Sequence, residues 1–110
     1  GWIPLPNPGT TAGYLRTPAL ETPDDLTALH HDLLQRWTAA GREGTPAVAF
    51  TVPTDAPPAS SDFSADRHLE ELARWTAAGV THVVHNGVGE TPTEAEEHLV
   101  AYGEQVVAAR

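Results

Sequence analysis

The clearest hydrophobic pattern in the chain is a helical stripe that begins after residue 22. Thr22 offers an N-cap hydroxyl, Pro23 stands at N1, Asp25 stands at N3, and Gly41 follows the last periodic position. Between these signals the apolar side chains recur at spacings of three, four and seven residues, at Leu26, Leu29, Leu33, Leu34 and Trp37. This spacing places them on one face and predicts an amphipathic helix.

A second helical pattern runs from a cap at Ser64 through Ala78 and is stopped by Gly79. We expect its apolar stripe to include Leu69, Leu72 and Ala73, with Trp75 on the flank. A third helix repeats the capping pattern of the first, with Thr91 as N-cap, Pro92 at N1 and Glu94 at N3. Its predicted inward residues are Ala95, Leu99, Tyr102 and Val106.

Two short apolar runs between these helices predict buried strands, at residues 46–53 and 80–86. Residues 54–63 are rich in Pro, Ser and Asp and predict a loop. The order of residues 23–110 is therefore helix, strand, helix, strand, helix. Strands that alternate with helices predict a parallel sheet with right-handed crossovers.

Residues 1–22 predict a loop. Residues 1–23 contain five prolines and three glycines, which exclude a long helix or a central strand. A free linker would contain fewer large apolar side chains, so we expect an ordered loop that packs on the rest of the chain. Those side chains are Trp2, Ile3, Leu5, Tyr14, Leu15 and Leu20.

An internal repeat supports a fold built from similar units. The six residues Arg36–Gly41 recur without change as Arg74–Gly79, a period of 38 residues, and a predicted strand follows each copy. This period fits one helix–strand unit of a (β/α)8 barrel, in which eight units fill about 250 residues. Chance similarity between Ala-rich helix ends is the alternative.

Two parallel strands leave both sheet edges open and cannot close a barrel. We therefore expect an α/β chain that forms part of a (β/α)8 TIM barrel. Either missing chain or association of copies would complete the layer. The chain begins with Gly1 and contains no Met, so we expect a piece of a longer protein.

Composition narrows the function classes. Fifteen acidic residues oppose six basic ones, all Arg, for a formal net charge of −9. This balance argues against partners that are nucleic acids or anionic membranes. The absence of Lys and Cys excludes Schiff-base lysines, P-loop lysines, thiolate zinc sites and cysteine nucleophiles. Neither a signal peptide nor a membrane-spanning run is recognisable within the sequence, and we expect a cytoplasmic protein.

Three segments resemble one enzyme family. The run 1–6, Gly-Trp-Ile-Pro-Leu-Pro, is similar to the piece that follows a barrel strand in the luciferase-like oxidoreductases. Residues 17–26 resemble the entry to the next helix in many actinobacterial members, and residues 72–84 resemble the penultimate helix and the last strand. The similarity spans nearly the whole chain but only about the last third of such an enzyme.

The resemblance implies a (β/α)8 parent enzyme that uses FMN or the deazaflavin coenzyme F420. Strand 46–53 would be its seventh strand, strand 80–86 its eighth, and the third helix would close the barrel. The chain would then be a C-terminal segment comprising the last two β/α units. Much of the cofactor wall in this family comes from earlier strands, which would lie in the missing N-terminal barrel segment. The resemblance therefore implies an oxidoreductase or monooxygenase whose C-terminal part, taken alone, is inactive and binds no cofactor.

The candidate site residues lie where the last strand meets the last helix. His85, Asn86 and Gly87 follow the carboxyl end of that strand, where barrel active sites gather. Gly87 and Gly89 lie in a loop before a helix N-terminus, which predicts either a phosphate contact or an ordinary turn. His82 and His85 are three apart in a strand, so they point to opposite faces and cannot chelate one metal. We predict no metal site.

One histidine elsewhere also bears on the chemistry. His98 lies four residues after Glu94, which predicts a helix-surface pair rather than a ligand pair.

The alternative to an enzyme fragment is a non-catalytic acidic α/β module that binds or oligomerises through its open strands. A separate small-molecule enzyme is a third reading, without a paired acid and base to support it.

Overall fold

The computed structural model describes residues 1–110 and is a mixed α/β structure with four α-helices and one two-stranded parallel sheet. A π-helical turn, Gly103–Val107, directly follows the last helix. The elements in chain order are α1 (Gly9–Leu15), α2 (Pro23–Ala39), β1 (Ala49–Thr51), α3 (Ala65–Ala77), β2 (His82–Val84) and α4 (Pro92–Tyr102). The predicted α/β class and the predicted order over residues 23–110 are confirmed. No helix combines the length and the apolar character needed to cross a bilayer.

The predicted helix starts are confirmed. Thr22 caps α2 by accepting a hydrogen bond from the N–H of Asp25 at 3.2 Å, and the Asp25 carboxylate accepts from the N–H of Thr22 at 3.0 Å. Thr91 and Glu94 form the same reciprocal pair at the start of α4. At α3 the hydroxyl of Ser64 accepts from the N–H of Arg67 at 3.3 Å. Each cap satisfies backbone donors that the first helical turn leaves without a partner.

The prediction that residues 1–22 are a loop is corrected by α1. This seven-residue helix carries no continuous apolar stripe, and it ends at Arg16 in the left-handed conformation, with φ 55° and ψ 39°. The segment is ordered, as predicted, because Asn7 and Leu20 exchange two backbone hydrogen bonds of 3.0 and 2.8 Å. The Asn7 side chain also donates to the carbonyl of Pro18 at 2.8 Å. These contacts fold the Pro-rich stretch back on itself.

The two strands are shorter than predicted but parallel, in the register Ala49 with His82 and Thr51 with Val84. Trp2 adds a single parallel bridge to Val48, with the N–H of Trp2 donating to Ala47 and its C=O accepting from Ala49. Successive strand residues direct their backbone groups to opposite edges. Val48 bonds toward β2 and its two neighbours bond toward Trp2, so Trp2 and β2 flank β1 on opposite sides.

The chain divides into two compact units. Unit 1 comprises Gly1–Thr51 and Arg74–Val84. Its core contains Leu26 and Val48, both fully buried, and the rings of Phe50 and Trp75, whose centroids are 4.5 Å apart. Unit 2 comprises Val52–Ala73 and His85–Arg110. Its most buried side chains are Val52, Pro58, His68, Leu72, Tyr102 and Val106.

The buried faces of α3 and α4 differ from the prediction. The buried positions of α3 are His68, Leu72 and Trp75, whereas Ala73 is exposed, so the stripe is centred one position away from the predicted one. On α4, Tyr102 and Val106 are buried as predicted, but Leu99 is 49% exposed. A Cβ at Gly87 would lie 3.8 Å from a methyl group of Leu99, but glycine has no side chain to cover it.

The two copies of the six-residue repeat occupy equivalent places at the ends of α2 and α3. Their tryptophans nevertheless differ. Trp75 is 5% exposed and packs on Phe50. Trp37 is half-buried, donates its indole N–H to the carbonyl of Glu43 at 3.2 Å, and lies under the guanidinium of Arg42 at 4.9 Å. The repeat therefore fixes the helix ends but not the packing around them.

Candidate functional site

Two imidazoles meet one phenol inside unit 2. The Nε2 atom of His68 lies 3.2 Å from the hydroxyl of Tyr102. The ring of His85 is stacked on the ring of Tyr102, with centroids 3.9 Å apart and planes 1° from parallel. Phe63 approaches the ring of His68 at 5.9 Å. We call His68, His85 and Tyr102 the imidazole–phenol cluster.

Three different elements supply this cluster. His68 lies in the first turn of α3, one turn after the Ser64 cap. Tyr102 is the last residue of α4, before the π-helical turn. His85 is the first residue after β2. Residues far apart in the chain therefore converge, and His68 and Tyr102 are 34 residues apart.

Burial sets the charge of the cluster. It lowers the pKa of His68, which the neighbouring His85 lowers further and Glu71 partly raises. Burial also lowers the pKa of His85 and raises the pKa of Tyr102, and Arg110 partly opposes the shift of Tyr102. Because both imidazoles lose protons more readily and the phenol holds its proton more firmly, all three groups are neutral near pH 7.

A neutral imidazole–phenol pair shares one proton along its hydrogen bond, with either partner as donor. The cluster is therefore a polar network that fixes ring positions. One atom is left over: His85 Nε2 is buried and has no hydrogen-bond partner. A buried nitrogen without a partner disfavours protonation of the ring to its charged form, and it also costs stability in the neutral form.

The predicted site residues occupy one loop with unequal roles. His85 is half-buried in the cluster, while Asn86 and Gly87 are exposed. Gly89 has φ +143°, and a Cβ there would come within 2.6 Å of the backbone nitrogen of Ala95. Gly89 is therefore needed for the close approach of this loop to the first turn of α4. The structure thus gives Gly89 a backbone role and Gly87 no close contact.

The start of α4 already holds an anion of its own. The Glu94 carboxylate accepts hydrogen bonds from the backbone N–H groups of Glu90 and Thr91, at 2.9 and 3.1 Å. These are the donors that a phosphate would use at a helix N-terminus. The loop therefore reads as a turn closed by its own carboxylate, and a phosphate has no free donors at Glu90 and Thr91.

The predicted surface pair of Glu94 and His98 is wrong. Glu94 is engaged in the cap, and Nδ1 of His98 instead accepts a hydrogen bond from the N–H of Ala59 at 3.1 Å. A second contact is made by Gln105, whose amide donates to the carbonyl of Pro58 at 3.2 Å. Both contacts hold the segment between β1 and α3 against α4 and the π-helical turn.

Sequence reasoning missed His68. A polar residue adjacent to a leucine stripe is usually placed on the solvent side, yet His68 is 5% exposed and hydrogen-bonded to a residue on another helix. Its partner is distant in sequence, so no local pattern identifies it. The residues of the structure include no group of three or more His, Asp or Glu side chains arranged to hold a metal ion.

Comparison of the chain with protein-family models, curated proteins and solved structures gives no match in any of the three.

Proposed function

We propose that this chain forms the C-terminal part of a luciferase-like oxidoreductase or monooxygenase, contributing the last two β/α units of a (β/α)8 barrel. The proposal starts from the sequence resemblance over residues 1–6, 17–26 and 72–84. The single structural observation that carries it is the arrangement of strands. Trp2, β1 and β2 are parallel neighbours in the same order as in the chain. Barrel strands are arranged in this way, each beside the next.

The two faces of the sheet support the same proposal. Along β1 and its extensions, Val48, Phe50 and Val52 are buried, while Ala47, Ala49 and Thr51 alternate with them and are more open. Ile3, in register beside Ala49, is 72% exposed, and Val84 in β2 is 39% exposed. Helices cover one face of a barrel stave, and the other strands of the barrel cover its opposite face.

We call the face of the sheet that carries Ile3, Ala47, Ala49, Thr51, His82 and Val84 the open face. It determines which residue of β2 would point into a barrel. His82 and Val84 lie on that face and are exposed. His85 has the opposite parity, and its ring lies against Tyr102 of α4. In the proposed barrel His82 and Val84 line the interior, and His85 holds the layer behind it.

The cofactor is proposed for the parent enzyme and not for this chain alone. FMN and F420 carry phosphate, and the helix N-terminus nearest the predicted site is filled by the carboxylate of Glu94. Glu96 and Glu97 lie in the same turn and add negative charge. Residues 85–91 therefore do not fit a cofactor phosphate, and the phosphate would have to be held by earlier strands. When bound, the cofactor supplies the hydride or oxygen chemistry.

A pair of binding measurements tests this division. Antibodies raised against the 110-residue chain would capture the endogenous polypeptide from its source cells, and its absorbance spectrum would be recorded. We expect the spectrum of a flavin or a deazaflavin there, and no binding when the 110-residue chain alone is titrated with FMN or F420. Tight binding by the chain alone, or a captured polypeptide without a chromophore, would overturn the proposal.

The second candidate is a non-catalytic module that associates with copies of itself. The observation in its favour is that the open face carries no Asp, Glu or Arg, on a chain with a net charge of −9. Like-charge repulsion therefore opposes association least at this face. The matched variants are Val84→Glu, on the open face, and Val107→Glu, which is 60% exposed in the π-helical turn. Sedimentation velocity separates the outcomes: a defined oligomer that only Val84→Glu dissociates supports this candidate.

A further inference from the structure

We propose that residues 52–64 are held in unit 2 by imidazoles that must be uncharged, so that mild acid opens this unit while unit 1 stays folded. The proposal concerns conformation and does not depend on the proposed enzyme function. Three of the six histidines, His68, His85 and His98, lie in unit 2. Each is engaged through its ring in a contact that binds or supports this segment.

The most direct contact is at His98. Its Nδ1 accepts the hydrogen bond from the N–H of Ala59, at 3.1 Å. A doubly protonated imidazole carries a hydrogen on both nitrogens and cannot accept. The hydrogen bond to Ala59 therefore requires a His98 imidazole whose Nδ1 carries no hydrogen.

The second contact is at the imidazole–phenol cluster. Phe63, near the end of the segment, lies 5.9 Å from the ring of His68, whose Nε2 is 3.2 Å from the Tyr102 hydroxyl. A positive charge on His68 would be 5% exposed and beside a second imidazole, His85. A charge on His85 would place a proton on the buried Nε2, which has no acceptor in reach. Both charged forms are therefore favoured by opening of the unit.

The charged groups near the cluster do not reverse this preference. Glu71 acts on His68 and favours its protonated form, but less than burial and His85 disfavour it. Arg110 acts on Tyr102 and favours its ionised form. As a cation, it does not stabilise a protonated imidazole. Two further contacts hold the segment, the Gln105–Pro58 hydrogen bond and the ion pair of Arg67 with Asp55.

The direction of the pH effect follows from proton counts. Burial lowers the pKa of His68 and of His85 in the folded unit, so between those values and about 6.5 the open form binds more protons than the closed one. Closure is fully favoured above about pH 6.5 and is weakened as the pH falls through that window. Each such imidazole raises the opening equilibrium by up to about tenfold per pH unit.

Amide hydrogen exchange on the full 110-residue chain tests the proposal, followed by NMR from about pH 7.5 to about pH 5 and corrected for the intrinsic pH dependence of exchange. The reporter in unit 2 is the N–H of Ala59, bonded to His98. The reporters in unit 1 are the N–H of Ala49, bonded to Trp2, and the N–H of Leu20, bonded to Asn7. We expect protection of Ala59 to fall at least tenfold while that of Ala49 and Leu20 changes less than threefold.

Two variants assign the effect to the imidazoles. The double variant His85→Phe with His98→Gln keeps a ring for stacking on Tyr102 and an acceptor for the Ala59 N–H, and neither new side chain titrates. It should lose less Ala59 protection at the acidic end than the natural chain, with His68 as the remaining titrating group of the cluster. The control His82→Gln, at an exposed histidine of unit 1, should leave the pH dependence unchanged.

The outcomes that overturn the proposal are equally definite. They are parallel loss of protection in both units, no loss in either, or unchanged pH dependence in a folded double variant. If the double variant does not fold, the imidazole signals of the natural chain decide. We expect the protonation of His68 and His85 to follow the loss of Ala59 protection as the pH falls, and protonation of both rings without that loss refutes the link.

Discussion

The imidazole of His85 lies flat on the phenol ring of Tyr102, with centroids 3.9 Å apart, while the hydroxyl of the same tyrosine meets Nε2 of His68 at 3.2 Å. Tyr102 thus serves two histidines in two different ways, one through its π face and one through its polar atom. The start of α3, the residue after β2 and the end of α4 are joined by this one side chain.

Removing only the hydroxyl of Tyr102 should measure how much its hydrogen bond to His68 contributes to the free energy of unfolding. Tyr102→Phe leaves His68 Nε2 buried without a partner, and we expect a loss of about 1 to 3 kcal/mol in the free energy of unfolding. Tyr102→Leu also removes the ring beneath His85 and should cost more. Urea unfolding with an unchanged m-value measures both. A Phe variant as stable as the natural chain would show that the hydrogen bond contributes nothing.

The two glycines of the predicted site provide a matched pair. Gly89→Ala forces a Cβ to within 2.6 Å of the Ala95 nitrogen at φ +143°, whereas the nearest atom to a Cβ at Gly87 is 3.8 Å away. We expect Gly89→Ala to lower the free energy of unfolding by about 1 to 3 kcal/mol. Gly87→Ala should change it by less than about 0.5 kcal/mol. Equal effects at both positions would contradict a backbone role for Gly89.

The contribution of the α4 cap to stability should be distinguishable from that of an exposed position on the same helix. Thr91→Ala removes the oxygen that accepts from the Glu94 N–H at 3.2 Å, and we expect a cost of about 1 kcal/mol. Thr93→Ala, at an exposed position two residues further on, is the control and should be nearly neutral. Thermal unfolding followed by circular dichroism compares the two. A larger loss at Thr93 than at Thr91 would refute the capping account.

The two tryptophans of the repeat should differ in energy as they differ in burial. Trp75 is 5% exposed and stacked on Phe50, so Trp75→Ala should cost about 3 to 5 kcal/mol. Trp37→Ala removes a half-buried ring under Arg42 and should cost less than half as much. Chemical denaturation measures both losses, and Trp75→Phe replaces the Ala variant if that variant does not fold. Equal costs would mean that the repeats pack equivalently.

Much of the fold could be predicted because its signals are local. The caps at Thr22 and Thr91 depend on residues three apart, and Gly41 and Gly79 end their helices with φ +71° and +123°. Such contacts are complete within one turn of chain, so the sequence alone contains them.

The missed features depend on distant partners. Helix α1 is seven residues long between prolines, and its order depends on the pairing of Asn7 with Leu20. The burial of His68 depends on Tyr102, 34 residues away, and that of Trp75 on Phe50. The position of the candidate site, in the loop after β2, could be predicted from the order of strands and helices. The side on which the His85 ring lies depends on the end of α4, which periodicity does not place.

The intact mass of the endogenous polypeptide decides whether this chain is part of a barrel. It would be measured by mass spectrometry after capture with antibodies against the 110-residue chain, whose own mass is 11.7 kDa. The barrel account expects a polypeptide of about 250 residues or more, with this sequence at its carboxyl end. A mass of 11.7 kDa in the source cells would contradict it and leave self-association as the way to cover the open sheet face.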